Sequence, residues 1–208
     1  MGELTFYTNP MSRGRIIRWM LEETGVPYKT EILGFGTSMK SDAYLQINPM
    51  GKVPAIRHGA TVVTECAAIC AYLADAFPEA NLAPPTTDRG LYYRWLFFAA
   101  GPLEMAVANK AMGFEITPDK LRMAGCGAFG DVMNTLERAV SENPFVAGES
   151  FTAADVYVGA HIGWGLQFGS IEKRQVFVDY LARLSSRPAF KRAAQIDEEA
   201  TKELQAAS

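Results

Sequence analysis

The residues with the clearest potential for chemistry stand at the start of a predicted helix. Thr64-Glu65-Cys66 follows a short apolar run, residues 61–63, and opens a helical pattern over residues 65–77. A helix N-terminus presents backbone N–H groups without intrahelical partners and the positive end of a dipole, and both favour a bound carboxylate. The Glu65 carboxylate, in the first turn, adds an acceptor for an ammonium group. A ligand with a carboxylate and an amine on one carbon fits both features.

A second group of residues lies just upstream, in the segment Gly51-Lys52-Val53-Pro54-Ala55-Ile56. Lys52 supplies a cation for another carboxylate, because a lysine ammonium is a point charge with three donors. Val53-Pro54 introduces a peptide bond that is able to be cis. Taken together, the two groups suggest a binding site for a small γ-glutamyl peptide.

The elements that must position these residues follow the order βαβ, then α, then ββα. β-prone runs predict strands over residues 4–7, 28–33, 55–58 and 61–63. Apolar periodicity predicts helices over residues 13–24, 41–47 and 65–77.

The remainder of the chain has helical patterns only. Residues 81–88, which contain Pro84-Pro85, form a predicted linker. Helices are predicted over residues 89–111, 119–143, 152–168, 172–183 and 188–206. Gly101-Pro102 should interrupt the first of these, because proline removes an internal hydrogen bond. Thr152-x-x-Asp155 has the pattern of a capping box at the start of the third.

Four motifs, in this order, give the chain a resemblance to the glutathione S-transferase superfamily. They are Asn9-Pro10-Met11-Ser12-Arg13, Asn48-Pro49-Met50-Gly51-Lys52-Val53-Pro54, Thr64-Glu65-Cys66 and Phe151-Thr152-Ala153-Ala154-Asp155. The resemblance implies an α/β plus all-α fold. A thioredoxin-like, glutathione-binding domain is expected over residues 1–80, and a C-terminal helical bundle domain over residues 89–208.

The resemblance to serine-type members implies that Ser12 is the catalytic residue, with Asn9 as a similar donor. Thiolate is the nucleophilic form of glutathione, and a free thiol of this kind has a pKa of roughly 8.5–9. Serine is too weak a base to take the proton, but its hydroxyl can donate to the sulfur anion. The alternative is that Ser12 is simply the N-cap of the first helix.

The resemblance also implies how the rest of glutathione is held. Val53, before a cis Pro54, pairs through its backbone with the cysteinyl part. Lys40 and Lys52 are candidate partners of the glycyl carboxylate. Glu65 and Cys66 occupy the positions of the Glu-Ser pair that holds the γ-glutamyl end.

Cys66 departs from the family pattern, since a thiol donates weakly compared with a hydroxyl. Its backbone N–H is still able to bind a carboxylate. Cys66 and Cys70 are one helical turn apart, which is compatible with a redox or metal pair. The alternative, favoured here and for Cys126 as well, is that they are small buried hydrophobic residues.

A second, hydrophobic substrate is expected between the two domains. The residues predicted for this pocket are Phe35, Glu104, Phe114 and Trp164. The identity of the electrophile does not follow from the sequence.

Composition excludes several functions. Of 208 residues, 49% are hydrophobic and 21% charged, which is typical of a globular protein, and the net charge of −3 argues against nucleic-acid binding. No apolar run is long enough to cross a membrane, and the N-terminus lacks the pattern of a signal peptide. An odd number of cysteines, 3, favours a reducing cytoplasm.

The sequence therefore predicts a cytoplasmic glutathione transferase that conjugates glutathione to small hydrophobic electrophiles, as in detoxification. Glutathione is a co-substrate, no metal or other cofactor is implied, and family members are usually homodimers. One alternative is a non-catalytic glutathione-binding or protein-interaction module, and another is a glutathione-dependent peroxidase. A thiol transferase is disfavoured, because the first strand–helix turn has no cysteine.

Overall fold

The computed structural model describes residues 2–206 and contains a four-stranded mixed sheet in the order β2-β1-β3-β4. The strands are β1 (Leu4–Thr8), β2 (Lys29–Ile32), β3 (Ala55–His58) and β4 (Thr61–Thr64). β1 pairs in parallel with β2 and antiparallel with β3, and β3 pairs antiparallel with β4. The central position of β1 brings the turn that follows it close to the ends of its neighbours.

The helices follow the predicted order. They are α1 (Gly14–Thr24), α2 (Asp42–Leu45), α3 (Cys66–Ala76), α4 (Gly90–Phe98), α5 (Glu104–Ala111), α6 (Phe129–Glu142), α7 (Ala153–Phe168), α8 (Gln175–Ser185) and α9 (Pro188–Ala206). An α/β unit followed by helices confirms the predicted fold class. Among residues 2–206, no helix is long and apolar enough to cross a membrane.

The chain divides into two compact units. The first comprises residues up to Asn81 together with those from Arg187 onward, and the second comprises residues 82–186. The first unit has its core between the sheet, α1 and α3, where Phe6, Ile17, Met20, Ile56 and Ile69 are fully buried. Met1 and residues 207–208, at the ends of the two predicted domains, lie outside the described residues.

Helix α9 joins the first unit because it packs along α1. Arg18 of α1 is 2% exposed and donates through Nε to Asp197 of α9 at 3.3 Å, and through Nη1 to Thr30 at 2.7 Å. Arg187 donates two hydrogen bonds of 2.7 Å to the Glu23 carboxylate, from Nε to Oε1 and from Nη2 to Oε2. A buried guanidinium requires such partners, since its charge would otherwise be desolvated without compensation.

Two helices begin three or more residues later than predicted. Helix α6 begins at Phe129, because residues 118–120 form a separate 3₁₀ turn and Gly127 adopts a φ of 66° that ends any helical run. Helix α8 begins at Gln175, three residues later than predicted. Apolar periodicity did not distinguish these turns from helix.

The predicted interruption at Gly101-Pro102 takes the form of a π-helical turn, Ala99–Leu103, between α4 and α5. Such turns accommodate a proline by widening the helix locally. The predicted capping box is also present, since Thr152 Oγ1 accepts from Ala154 N at 3.3 Å and Asp155 Oδ2 accepts from Thr152 N at 2.8 Å.

Candidate functional site

The turn after β1 holds Ser12 at the start of α1. Asn9 is 3% exposed; its Nδ2 donates to Leu33 O at 2.8 Å and its Oδ1 accepts from Met11 N at 2.9 Å. Ser12 Oγ donates to Asn9 O at 2.6 Å and accepts from Gly14 N at 2.9 Å. The Asn9 side chain therefore shapes the turn, and the Ser12 hydroxyl links Asn9 O to the backbone N–H of Gly14, while the N-cap residue itself is Arg13.

Gly14, the first residue of α1, packs directly against the end of β1. A Cβ atom at this position would lie 1.9 Å from Thr8 Oγ1 and 3.0 Å from Ser12 Oγ. Only a glycine allows the helix N-terminus to approach the strand so closely. Thr8 is fully buried, and its Oγ1 has no hydrogen-bond partner among residues 2–206.

The Val53–Pro54 peptide bond is cis, as expected. The Lys52 carbonyl, which precedes this bond, accepts two hydrogen bonds. Tyr44 OH donates to it at 2.6 Å and Asn48 Nδ2 at 2.8 Å. Burial raises the pKa of Tyr44 to about 12, so this phenol remains a neutral donor at physiological pH. The half-buried Val53 packs on a cluster formed by Tyr7, Met39, Tyr44 and Ala55.

Tyr7, the tyrosine of β1, belongs to that cluster and is 4% exposed. Burial raises the pKa of its phenol. Its surroundings are those of a core residue, which is how a tyrosine in an apolar strand is most often found.

The structure brings Lys40 to the segment that contains Lys52. Lys40 Nζ donates to Met50 O at 3.0 Å, and a Cβ at Gly51 would lie 2.8 Å from the same nitrogen. Gly51 has a φ of 56°, which a residue with a side chain rarely adopts. Both lysines are exposed. Two cations thus flank one short loop, where they favour a bound carboxylate.

Glu65 has the most unusual backbone of the site. It stands directly before α3 with φ 67° and ψ 121°, its side chain is exposed, and it makes no capping hydrogen bond. A residue other than glycine in such a conformation costs about 1–3 kcal/mol. The prediction that Glu65 lies in the first turn was therefore wrong by one residue, since a positive φ is incompatible with a right-handed helix.

Cys66, the first residue of α3, connects this segment with the Ser12 turn. Its thiol contacts Arg13 O at 3.9 Å. The N-terminus of α3 therefore lies beside that of α1, and the Glu65–Cys66 segment beside Ser12. Two positive helix ends in one place favour an anionic ligand.

The cysteines are free, and Cys66, Cys70 and Cys126 are all buried. Burial raises the pKa of the Cys70 thiol well above its usual value. Within residues 2–206, no cluster of three or more histidine, cysteine or acidic side chains is arranged to hold a metal ion.

The residues predicted for a second-substrate pocket occur in both units. Phe35, in the first unit, is an exposed loop residue, and in the second unit Phe114 is exposed after α5 while Trp164 of α7 is half-buried. Glu104 begins α5, and its Oε2 accepts from Tyr157 OH at 3.3 Å. The pocket itself stays a prediction.

Sequence reasoning missed three residues of the site: Thr8, Tyr44 and Asn48. Tyr44 and Asn48 are one helical turn apart, a spacing that allows both to reach one acceptor. Thr8 immediately precedes the Asn9–Ser12 motif, but its burial depends on the approach of Gly14, which the sequence does not reveal.

Residues 11–76 match the family model described as the N-terminal domain of glutathione S-transferase. A relative named glutathione S-transferase GstA, from Escherichia coli O157:H7, is 26% identical over 151 residues, which cover 71% of this chain and 74% of that protein.

Solved structures match over nearly the full length. A glutathione transferase from Methylococcus capsulatus is 26% identical, with a TM-score of 0.76 over 94% of this chain and 98% of its own. A sphingomonad glutathione S-transferase complexed with glutathione is 25% identical, with a TM-score of 0.75 over 93% of this chain and 98% of its own.

Proposed function

The chain belongs to the glutathione S-transferase superfamily, and we propose that its first unit binds glutathione and transfers the thiolate to small hydrophobic electrophiles. Family membership supports a glutathione-dependent activity of the transferase type. The reaction and the residue roles that follow belong to the proposal.

The single observation that carries the proposal is the backbone of Glu65. An exposed acidic residue is held at φ 67° at the start of an 11-residue helix. Unfavourable backbone conformations persist where the surroundings enforce them, and they cluster at ligand-binding sites. Here the conformation presents the Glu65 carboxylate and the Cys66 N–H together, as the ammonium and carboxylate of a γ-glutamyl group require.

The other parts of glutathione have matching groups nearby. The Val53 backbone, held before cis Pro54, pairs with the cysteinyl residue as an added strand would. Lys40 and Lys52 neutralise the glycyl carboxylate. These contacts place the sulfur toward the N-terminus of α1, where the helix dipole stabilises negative charge.

Ser12 then acts as a hydrogen-bond donor to the sulfur anion. Its hydroxyl hydrogen, donated to Asn9 O in the absence of ligand, turns to the sulfur, and Asn9 keeps the turn in place. The thiolate attacks an electrophilic carbon, a C–S bond forms, and the displaced group leaves with its electron pair. Charge stabilisation and proximity supply the rate enhancement.

The electrophile is proposed to contact Phe35, Glu104, Phe114 and Trp164. Three of these side chains are aromatic, which suits a small hydrophobic substrate. We further propose that the protein is a cytoplasmic homodimer. The exposed apolar side chains of α4, with Leu91 at 49%, Tyr93 at 41% and Phe97 at 67% exposure, support an interface there.

The second candidate is a non-catalytic glutathione-binding module. One observation favours it: both hydrogen bonds of the Ser12 hydroxyl are made to the backbone of the turn that leads into α1. In that case, the protein would bind glutathione without changing the acidity of its thiol.

The test is a titration of bound glutathione, with thiolate absorbance followed against pH in the wild type and in Ser12→Ala. The proposal expects the bound thiol to ionise well below its free pKa, and Ser12→Ala to raise that pKa by about one unit. Ser150→Ala, at an exposed position of the second unit, is the matched control and should change nothing. An unshifted thiol pKa in the wild type would establish the binding module instead.

A further inference from the structure

The proposed function leaves the buried hydroxyl of Thr8 unused. Thr8 ends β1, its side chain is 0% exposed, and Oγ1 has no hydrogen-bond partner among residues 2–206. Burying a hydroxyl without a partner is unfavourable, because the lost hydration is not replaced. Valine has the same shape and would avoid this cost, so packing alone does not explain the oxygen.

The hydroxyls of Thr8 and Ser12 both lie next to Gly14. A Cβ atom at Gly14 would lie 1.9 Å from Thr8 Oγ1 and 3.0 Å from Ser12 Oγ. Both oxygens therefore lie on the same side of Gly14, and Thr8 Oγ1 occupies the space that a side chain at this position would take.

The Ser12 hydroxyl has capacity for one more donor. A hydroxyl carries one hydrogen and two acceptor positions. In this structure, the hydrogen of Ser12 is donated to Asn9 O, and one acceptor position is used by Gly14 N. The second acceptor position is unused, and when the hydroxyl rotates to donate to a sulfur anion, this position is redirected so that a hydroxyl on the β1 side can donate to it.

We propose that Thr8 is a positioning residue for thiolate stabilisation, whose hydroxyl donates to Ser12 Oγ once Ser12 donates to the sulfur of bound glutathione. This inference rests on the proposed function of Ser12. The resulting chain runs from the Thr8 hydroxyl to the Ser12 hydroxyl to the sulfur, and no proton is transferred along it.

Such a chain makes Ser12 a stronger donor, because consecutive hydrogen bonds polarise one another in a poorly solvated site. The unpaired hydroxyl gains its partner only when the thiolate is present. Its contribution is therefore differential: it stabilises the ionised ligand and not the free protein.

Two substitutions of Thr8 separate this role from packing. Thr8→Val keeps the shape and removes the hydroxyl, and Thr8→Ser keeps the hydroxyl and removes a methyl group. We expect Thr8→Val to raise the thiol pKa of bound glutathione by about half a unit to one unit and to lower kcat by about three- to tenfold. Its KM for glutathione should stay unchanged, and its Tm should equal or exceed that of the wild type.

Thr8→Ser should keep the wild-type thiol pKa while its Tm falls, since the lost methyl group leaves a void. A purely structural threonine would show the opposite arrangement: a lower Tm in Thr8→Val with an unchanged thiol pKa. That result would overturn the proposal.

A double-mutant cycle tests whether Thr8 acts through Ser12. In the Ser12→Ala background, Thr8→Val should cause no further change in the thiol pKa. Additive changes would overturn the proposal, because Thr8 would then influence the sulfur independently. If Ser12→Ala raises the thiol pKa and Thr8→Val does not, the proposed role of Thr8 is refuted, whereas the proposed function of Ser12 stands. If Ser12→Ala itself has no effect, the proposed function of Ser12 fails, and the role of Thr8 with it.

Discussion

At the scale of single residues, the site depends on backbone conformations that side chains ordinarily avoid. Glu65, at φ 67°, and Gly51, at φ 56°, belong to the two segments that we propose hold the ends of glutathione. Glycine adopts such conformations readily, whereas glutamate does so only under constraint. The proposed contact of its carboxylate with the ligand explains why a glutamate stands at position 65 in spite of this cost.

We predict that Glu65→Gly stabilises the protein and weakens glutathione binding. Relief of the backbone should increase the free energy of unfolding by about 1 kcal/mol. Loss of a charge-assisted contact should raise the Kd for glutathione by about tenfold or more. Denaturant titration and calorimetric binding measure the two effects separately.

Asn81→Gly provides the control, because Asn81 also has a positive φ, 53°, outside the site. It should leave the Kd for glutathione unchanged. Tight binding by Glu65→Gly would show that the carboxylate is not part of the binding site.

A second prediction concerns the contact between α1 and β1. Gly14→Ala would force its Cβ to within 1.9 Å of Thr8 Oγ1, and the helix N-terminus would have to shift. Overpacking of this kind should lower the free energy of unfolding by about 1–3 kcal/mol. Gly130→Ala in α6, where a Cβ meets nothing within 4 Å, should instead raise it by about 0.5–1 kcal/mol. Equal effects of the two substitutions in urea denaturation would contradict this account.

Whether the sequence predicts a feature of the site depends on whether that feature is local in the chain or is formed by tertiary packing. The cis Val53–Pro54 bond followed from the resemblance, whereas the local pattern predicted Glu65 inside the first turn of a helix that begins one residue later. The reach of Lys40 to Met50 O and the burial of Thr8 under Gly14 depend on tertiary packing. Apolar periodicity contains no information about such contacts.

At the scale of elements, the strands of the hairpin, residues 55–58 and 61–64, agree with the prediction to within one residue. Gly59, with a φ of 60°, fixes the turn between them. Helix α6 was predicted ten residues too long at its start. The structure instead has a 3₁₀ turn at residues 118–120 and a positive φ at Gly127 in this segment.

The start of α7 is held by Asp155, which accepts four hydrogen bonds. Oδ1 accepts from Val146 N and Tyr180 OH, both at 2.7 Å, and Oδ2 accepts from Thr152 N at 2.8 Å and Thr152 Oγ1 at 3.0 Å. The carboxyl group is fully buried, and desolvation raises its pKa despite these donors. One side chain thus joins α7, α8 and the loop before α7.

We predict that Asp155→Ala lowers the free energy of unfolding by about 3–5 kcal/mol, since several buried donors lose their acceptor at once. Asp179→Ala, at an exposed carboxylate of α8 that accepts from Gln175 Nε2, should change it by less than about 0.5 kcal/mol. Urea denaturation measures both. A small effect of Asp155→Ala would mean that the loop reorganises to satisfy its own donors.

At the scale of the whole molecule, the first unit is built from two separated parts of the chain. Arg18 and Asp197 join α1 to α9 although 179 positions separate them. Their side chains are 3% and 1% exposed. Removing one member of a buried ion pair leaves the other charge uncompensated and typically costs about 3–5 kcal/mol.

We therefore predict that Asp197→Ala reduces amide hydrogen-exchange protection in α1 more than in α7. The control is Arg138→Ala, which removes an exposed pair with Glu142 and should leave protection unchanged in both helices. Greater loss of protection in α7 than in α1 would contradict the assignment of α9 to the first unit.

The position of α9 also has a consequence for biosynthesis. Residues 82–186 leave the ribosome before α9 does, so the second unit has all of its residues available while the first still lacks a helix of its core. The ribosome adds about 5–20 residues per second, and a domain generally folds as a unit once its residues have been synthesised. The unit that is encoded first is thus the last to be completed, and until α9 arrives the nascent chain exposes the face of α1 that the finished protein conceals.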